Sequence, residues 1–153
     1  MSEMPAAPAK QENFYRPWLQ VAVFCEKVLR EADNVLSIIR IIDRFNVRGT
    51  TRQLPPTPLR FCMVLAFKSG FMRGKGMVRI QPSNPSGTRL PAMELPILFE
   101  GDDERGAVIA AEMTFVVEDE GVYWFDVSIL EELITRMPLR VVFQQTEFRP
   151  TAG

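Results

Sequence analysis

The chain has 153 residues, a length that fits one ordinary domain with a full hydrophobic core. Its hydrophobic content of 46% is ordinary for a globular protein, and a formal net charge of −1 excludes a global attraction to nucleic acid or anionic membrane. The sequence has no histidine and only two cysteines, which excludes the usual zinc-ligand sets, imidazole bases and secreted disulfide frameworks.

The first 17 residues carry three prolines and few aliphatic side chains, which predicts a flexible tail ahead of the folded domain. Residues 1–10 contain no apolar signal-peptide core, and no run in the chain approaches the ~18 apolar residues of a membrane span. We therefore expect a cytoplasmic protein with no membrane partner. Its predicted organisation is a tail at 1–17, one domain at 18–148 and a C-terminal tail at 149–153.

From residue 19 onward, apolar runs separated by Gly, Pro, Asn and Asp recur at the spacing of short antiparallel strands. Several runs alternate apolar and polar side chains, as strands with one buried face do. The pattern predicts an all-β fold, specifically an antiparallel two-sheet β-sandwich of about eight strands. The predicted strands cover residues 19–29, 35–46, 59–68, 75–81, 93–99, 107–117, 122–130 and 137–145.

Residues 26–45 also fit an amphipathic helix, because their apolar side chains recur at helical spacing with charged residues opposite. However, Asp33-Asn34 is a turn pair near the midpoint of this segment, and both flanks are rich in β-branched residues. The sequence therefore favours a β-hairpin here and leaves the helix as the alternative.

The segment 119–127 predicts a tyrosine corner, a feature of immunoglobulin-like sandwiches. Gly121 allows a tight turn after Asp119, and the Tyr123 hydroxyl can bond backbone in that turn while its ring packs inside. We assign these three residues a structural role. Strand alternation then directs Tyr123 and Phe125 into the core and Trp124 outward.

Short motifs along the domain support this fold. They are Phe24-Cys25-Glu26, Ser37-Ile38-Ile39, Pro58-Leu59, Gly121-Val122-Tyr123 and Pro138-Leu139-Arg140-Val141. In these motifs the chain resembles an uncharacterised bacterial family of small cytosolic, immunoglobulin-like β-sandwich proteins of unknown function. The resemblance implies a fold and no established activity. Such proteins often close the final hairpin with an Asp-Gly turn, whereas residues 131–136 fill that place here.

Outward apolar side chains in the predicted last hairpin indicate a surface for association. Trp124 and Val122 point away from the predicted core with Val142 beside them, and the tail contributes Tyr15 and Trp18. We take these five residues as the candidate interface. The predicted function is a non-enzymatic binding or assembly module that meets an unknown protein partner or a second copy of the chain.

An alternative function uses acidic loops. Successive antiparallel strands run up and down, so their loops alternate between two ends of the fold, and one end is predicted to be rich in carboxylates. Carboxylates are calcium ligands, which makes a cation-dependent effector or enzyme the alternative. The candidate ligands are Asp102, Asp103, Glu104 and Glu131, joined at that end by Glu31, Asp33 and Asn34. These loops lack ordered ligand spacing, so solvated turn acids are the simpler interpretation and we expect no cofactor.

Catalysis and nucleic-acid binding are both disfavoured. Arginines recur every fourth residue from 40 to 52, but the chain as a whole is nearly neutral. There is no Gly-x-Ser-x-Gly motif, and Cys25 and Cys62 have no histidine to activate them. Both cysteines are predicted to be small buried hydrophobic residues, and a cytoplasmic setting argues against a bridge between them.

Overall fold

The computed structural model describes residues 16–102 and 105–147. Within these ranges the chain forms nine β-strands and no helix, so no helix there is long and apolar enough to cross a membrane. The strands are β1 (Trp18–Arg30), β2 (Leu36–Ile42), β3 (Arg44–Gly49), β4 (Thr57–Lys68), β5 (Gly74–Ser83), β6 (Met93–Phe99), β7 (Gly106–Val117), β8 (Gly121–Ile129) and β9 (Glu132–Gln145).

The strands form two sheets. One is a four-stranded antiparallel sheet in the order β2-β1-β4-β7, and the other is a five-stranded sheet in the order β3-β9-β8-β5-β6. All neighbours in the second sheet are antiparallel except β3 and β9, which run parallel from Arg44 beside Arg140 to Gly49 beside Gln145. The all-β prediction is confirmed. The described ranges hold nine strands where about eight were predicted, and the predicted antiparallel pairing is wrong for β3 and β9.

The extra strand arises because the predicted strand 35–46 is divided at Asp43. The chain leaves the four-stranded sheet after Ile42 and joins the five-stranded sheet at Arg44. The backbone N–H of Arg140 donates a hydrogen bond to the Asp43 carbonyl at 3.2 Å, which ties the crossing point to β9. The first half of the segment pairs with β1 as the β-hairpin that the sequence favoured over a helix.

The two sheets share one hydrophobic core. Its centre is Phe125 of β8, which is fully buried and meets three rings from the four-stranded sheet. The centroid of its ring lies 5.0 Å from that of Phe24, 6.2 Å from that of Phe61 and 5.4 Å from that of Phe115. Burying one such side chain stabilises a fold by about 1.5–3 kcal/mol, so these contacts hold the sheets together.

Tyr123 sits two residues before this centre. Its hydroxyl donates a hydrogen bond to the Asp119 carbonyl at 2.9 Å and accepts one from the Asp119 N–H at 3.2 Å, while its ring packs edge-on against Phe115. Gly121, which lies between Asp119 and Tyr123 in the sequence, has φ of 128°, and a Cβ there would lie 2.8 Å from the Cβ of Pro85. A glycine is therefore required at this corner.

The first prediction concerns this hydroxyl. Burial raises the pKa of Tyr123, opposed by the backbone hydrogen bond at Asp119. A group with a raised pKa stabilises the fold below its unfolded value and loses that contribution as the pH rises through its folded value. Tyr123→Phe should therefore lower the free energy of unfolding by about 1 kcal/mol at pH 7 in urea titrations. The deficit should shrink above about pH 10, where only the wild type is destabilised by tyrosine ionisation.

The chain's other tyrosine, Tyr15, supplies the matched control. Because the sequence predicts that Tyr15 lies in a flexible tail, Tyr15→Phe should leave the unfolding free energy unchanged at pH 7 and above about pH 10. Equal stability of wild type and Tyr123→Phe at pH 7 would contradict the assigned role of the hydroxyl.

The β8–β9 hairpin closes earlier than predicted. Ile129 pairs with Glu132, so the turn is the two residues Leu130 and Glu131, and β9 begins at Glu132 instead of residue 137. Both turn residues have positive φ, 53° and 63°. Tight hairpin turns of this kind prefer Asn-Gly, because side chains strain the left-handed conformation.

The second prediction follows from this strain. Glu131→Gly should raise the free energy of unfolding by about 0.5–1 kcal/mol, because glycine adopts positive φ without steric cost. Glu131→Ala removes the same carboxylate but keeps the Cβ, so it should not stabilise. Urea denaturation of both variants checks this, and an equal gain for both would show that charge, and not backbone strain, is responsible.

Candidate interaction surfaces

The β1–β2 hairpin leaves the body of the four-stranded sheet part-way along its length. The pairing of β1 with β4 ends at Cys25 beside Cys62, whereas its pairing with β2 continues to Arg30 beside Leu36. Arg40, at the point of departure, has φ of 55°, a left-handed conformation that interrupts a regular strand. Its guanidinium forms an ion pair of 3.2 Å with Glu26 on the neighbouring strand. Among the described strands, the outer half of the hairpin is thus paired only with itself.

Beside this hairpin lies an apolar groove of about 530 Å³, which we call the outer groove. Val64 and Ala66 of β4 line it, while their neighbours Met63, Leu65 and Phe67 are buried in the core. Alternation along β4 therefore places the groove on the face turned away from the core. The lining residues are Val21, Arg30, Asn34, Val35, Leu36, Ile38, Val64, Ala66 and Val108.

Next to the outer groove is the free side of β2, residues Leu36–Ile42, which we call the β2 edge. It contains four isoleucines and one charged residue, Arg40, and within the described ranges it is hydrogen-bonded to β1 alone. Ile41 is 69% exposed. Of the thirteen large hydrophobic residues exposed in the described part of the chain, five lie between Leu29 and Ile41, namely Leu29, Val35, Ile38, Ile39 and Ile41.

The other edge strands are better protected against pairing with another chain. Proteins blunt such edges with charged residues and proline. β6 carries Glu94 and Pro96, and β3 carries Arg44 and Arg48. β7 carries only Glu112, but it lies close to β6 of the other sheet. The β2 edge has no proline and a single charged residue, Arg40, whose ion pair with Glu26 is exposed to solvent.

Two free cysteines lie behind the outer groove. Cys25 of β1 stands directly beside Cys62 of β4, both are buried, and both pack with Val64 in a small apolar cluster. Burial is the main factor that raises the pKa of the Cys25 thiol, and the neighbouring Cys62 adds to it. The structure thus places side by side, within one sheet, the two cysteines between which the sequence disfavoured a bridge.

The described residues of the predicted interface lie on two different sheets. Trp124, Val122 and Val142 belong to the five-stranded sheet, whereas Trp18 begins β1 in the four-stranded sheet. Tyr15 lies outside the described residues. Trp124 is only partly exposed, because the Arg136 guanidinium stacks 4.9 Å from the centroid of its ring.

The acidic residues are likewise dispersed. Asp103 and Glu104 lie outside the described residues, and within the described ranges no group of three or more acidic or cysteine side chains could hold a metal ion. The prediction that residues 31–34 lie at the same end of the fold as residue 102 is wrong. Trp18 pairs with Lys68 and Lys68 with Gly106, so the loop before β7 lies at the start of β1, while residues 31–34 follow its end. The predicted strand 35–46 forms two strands, β2 and β3, so every later loop lies at the opposite end from the one predicted relative to residues 31–34.

Comparison with known proteins places the chain in a family. A family model described as a family of unknown function, DUF6941, matches residues 20–142. The chain belongs to the DUF6941 family. A search of curated proteins finds no match. The DUF6941 match spans most of β1 through most of β9, so the outer groove, the β2 edge, the two cysteines and Tyr123 all lie within the family's region.

Sequence reasoning missed both the outer groove and the β2 edge. The isoleucine-rich run 38–42 was visible, but it indicated only a strand, because an edge strand and a central strand can share the same composition. Only the strand order reveals that this run has a free side.

Proposed function

We propose that this DUF6941 protein is a non-enzymatic assembly module that pairs with a second copy of itself through the β2 edge. The observation that carries the proposal is a free, isoleucine-rich edge strand beside an apolar groove. Such a strand presents unpaired backbone groups that another strand can satisfy. In a symmetric dimer the same strand of each copy would contribute to a continuous sheet.

The charges at the two ends of β2 favour a second copy as the partner. Residues 30–35 hold two acids and one arginine, whereas residues 40–44 hold two arginines and one acid. Antiparallel pairing of β2 with its own copy brings the acidic end of each strand beside the basic end of the other. The middle of the strand, Ser37 to Ile39, carries no charge, so the two strand centres do not repel each other.

The outer groove extends the same surface. Leu36 and Ile38 both belong to the β2 edge and line the groove, so the two features are continuous. Each buried Å² of apolar surface contributes roughly 25 cal/mol to association before the cost of lost motion. The dimer would therefore gain from backbone pairing along the edge and from apolar contact beside it.

Two further proposals concern the type of fold and the location of the protein. We propose that the two sheets make an immunoglobulin-like sandwich and that the protein belongs to the bacterial cytosol. The shared aromatic core and the hydrogen bond from Tyr123 to Asp119 support the first, and the two free thiols fit a reducing compartment. The lack of histidine and of a nucleophile motif supports a role without catalysis.

A second surface could serve the same function. Trp124, Val122 and Val142 line the outer face of the five-stranded sheet, and the sequence analysis favoured them as the interface. The partial cover of Trp124 by Arg136 makes this surface the weaker candidate. One experiment distinguishes the two surfaces.

The third prediction is that the wild-type protein is a dimer at micromolar concentration in light scattering coupled to size-exclusion chromatography. Ile41→Lys should weaken this dimer by about tenfold or more, because the lysine enters the interface twice and must be desolvated. Since Ile41 is mostly exposed, the substitution should leave the unfolding free energy within about 0.5 kcal/mol.

The matched control is Leu98→Lys, which adds the same charge to the other sheet at the exposed edge strand β6. It should leave the dimer unchanged. A dimer weakened by Trp124→Ser but not by Ile41→Lys would move the interface to the five-stranded sheet. A wild type that is monomeric at about 100 µM would overturn self-assembly.

A further inference from the structure

We propose that Cys25 and Cys62 form an oxidation site, which a small hydroperoxide converts from two thiols into a disulfide between β1 and β4. This inference does not depend on the proposed dimer, because both cysteines belong to the same chain and lie within one sheet.

The register of the strands carries the proposal. Cys25 and Cys62 are direct partners in an antiparallel pair. Opposed residues of this kind have Cα atoms about 4.5–5.5 Å apart, within the roughly 4.4–6.8 Å that disulfides span. Both side chains are on the face away from the core and pack against Val64. The bond can therefore form with little movement of the backbone.

The two sulfurs differ in access. Cys25 is fully buried, whereas Cys62 retains 6% exposure and lines a cleft of about 390 Å³ together with Glu26, Arg60 and Glu112. Hydrogen peroxide is little larger than water and fits such a cleft. Cys62 is therefore the sulfur that meets the oxidant, and Cys25 is the sulfur that resolves the product. The raised pKa of Cys25 agrees with this order, because it keeps Cys25 in the less reactive thiol form.

The reaction balances with one peroxide per chain. The Cys62 thiolate attacks one peroxide oxygen and the O–O bond breaks, which leaves a sulfenic acid on Cys62 and releases hydroxide that becomes water on protonation. The sulfur of Cys25 then attacks the sulfur of Cys62, loses its proton and displaces the second oxygen as water. Two thiols are oxidised to one disulfide, and one hydrogen peroxide is reduced to two waters.

The position of the pair gives the bond a structural effect. Cys25 and Cys62 are the last partners before β1 separates from β4, and Val28 of the departing hairpin packs against their cluster. A disulfide would fix this branch point covalently. The outer half of the hairpin, which lines the outer groove, would then be tied more firmly to β4.

The fourth prediction tests the oxidation site directly. The full-length protein is reduced, freed of reductant, treated with hydrogen peroxide, then denatured and alkylated. We expect complete loss of both alkylatable thiols, a mass decrease equal to two hydrogen atoms, and a cross-linked peptide that joins Cys25 to Cys62 within one chain. Recovery of both thiols after reduction confirms a disulfide.

Two variants separate the roles of the sulfurs. Cys25→Ser should accumulate a sulfenic acid on Cys62 that dimedone traps, whereas Cys62→Ser should leave Cys25 unmodified. The wild-type measurement remains decisive even if a variant fails to fold. Two thiols that still alkylate after peroxide treatment, or a cross-link that joins two chains, would overturn the proposal. Repeating the assay at protein concentrations low enough to dissociate the proposed dimer keeps its result separate from dimerisation, whereas Ile41→Lys would not, because Ile41 is the direct partner of Cys25.

Discussion

The packing of one phenylalanine against three others organises the molecule. Phe125 lies in the middle of the five-stranded sheet and contacts one ring from each of β1, β4 and β7. Because neighbouring residues of a strand face opposite ways, drawing Phe24 and Phe61 inward turns Cys25 and Cys62 outward. The aromatic core thereby determines which side chains remain for the outer face. The dithiol and the groove beside it are consequences of how the two sheets are held together.

Much of the fold could be predicted from the sequence, because the alternation of apolar and polar residues along a strand indicates which side chains are buried. It located most of the strands, the hairpin at Asp33-Asn34 and the inward direction of Tyr123 and Phe125. It could not reveal the crossing at Asp43, because a strand that changes sheets can keep a strand-like pattern throughout. Nor could it reveal the turn at Leu130-Glu131, because that turn adopts positive φ without glycine or asparagine. Tertiary pairing overrides local preference at both places.

The candidate surfaces were less accessible from the sequence. The outward direction of Trp124 follows from alternation alone, but its cover by Arg136 depends on a cross-strand neighbour. The β2 edge depends on strand order, and the proximity of Cys25 to Cys62 depends on register between strands that are far apart in sequence. Neither property is encoded in any local pattern. The sequence alone indicates which residues share a face within one strand, but it does not indicate which strands are neighbours.

The parallel pairing of β3 with β9 constrains how the domain reaches its native state. β3 is the third of the nine described strands, yet among them it pairs only with β9, the last in sequence. Closing a loop this long costs conformational entropy before any contact repays it, so such topologies fold slowly. During synthesis β3 must wait for nearly the whole domain to emerge, with Phe45 and Val47 lacking the strand beside which they finally pack. Completion of the five-stranded sheet is thus a late, cooperative event governed by the C-terminal strand.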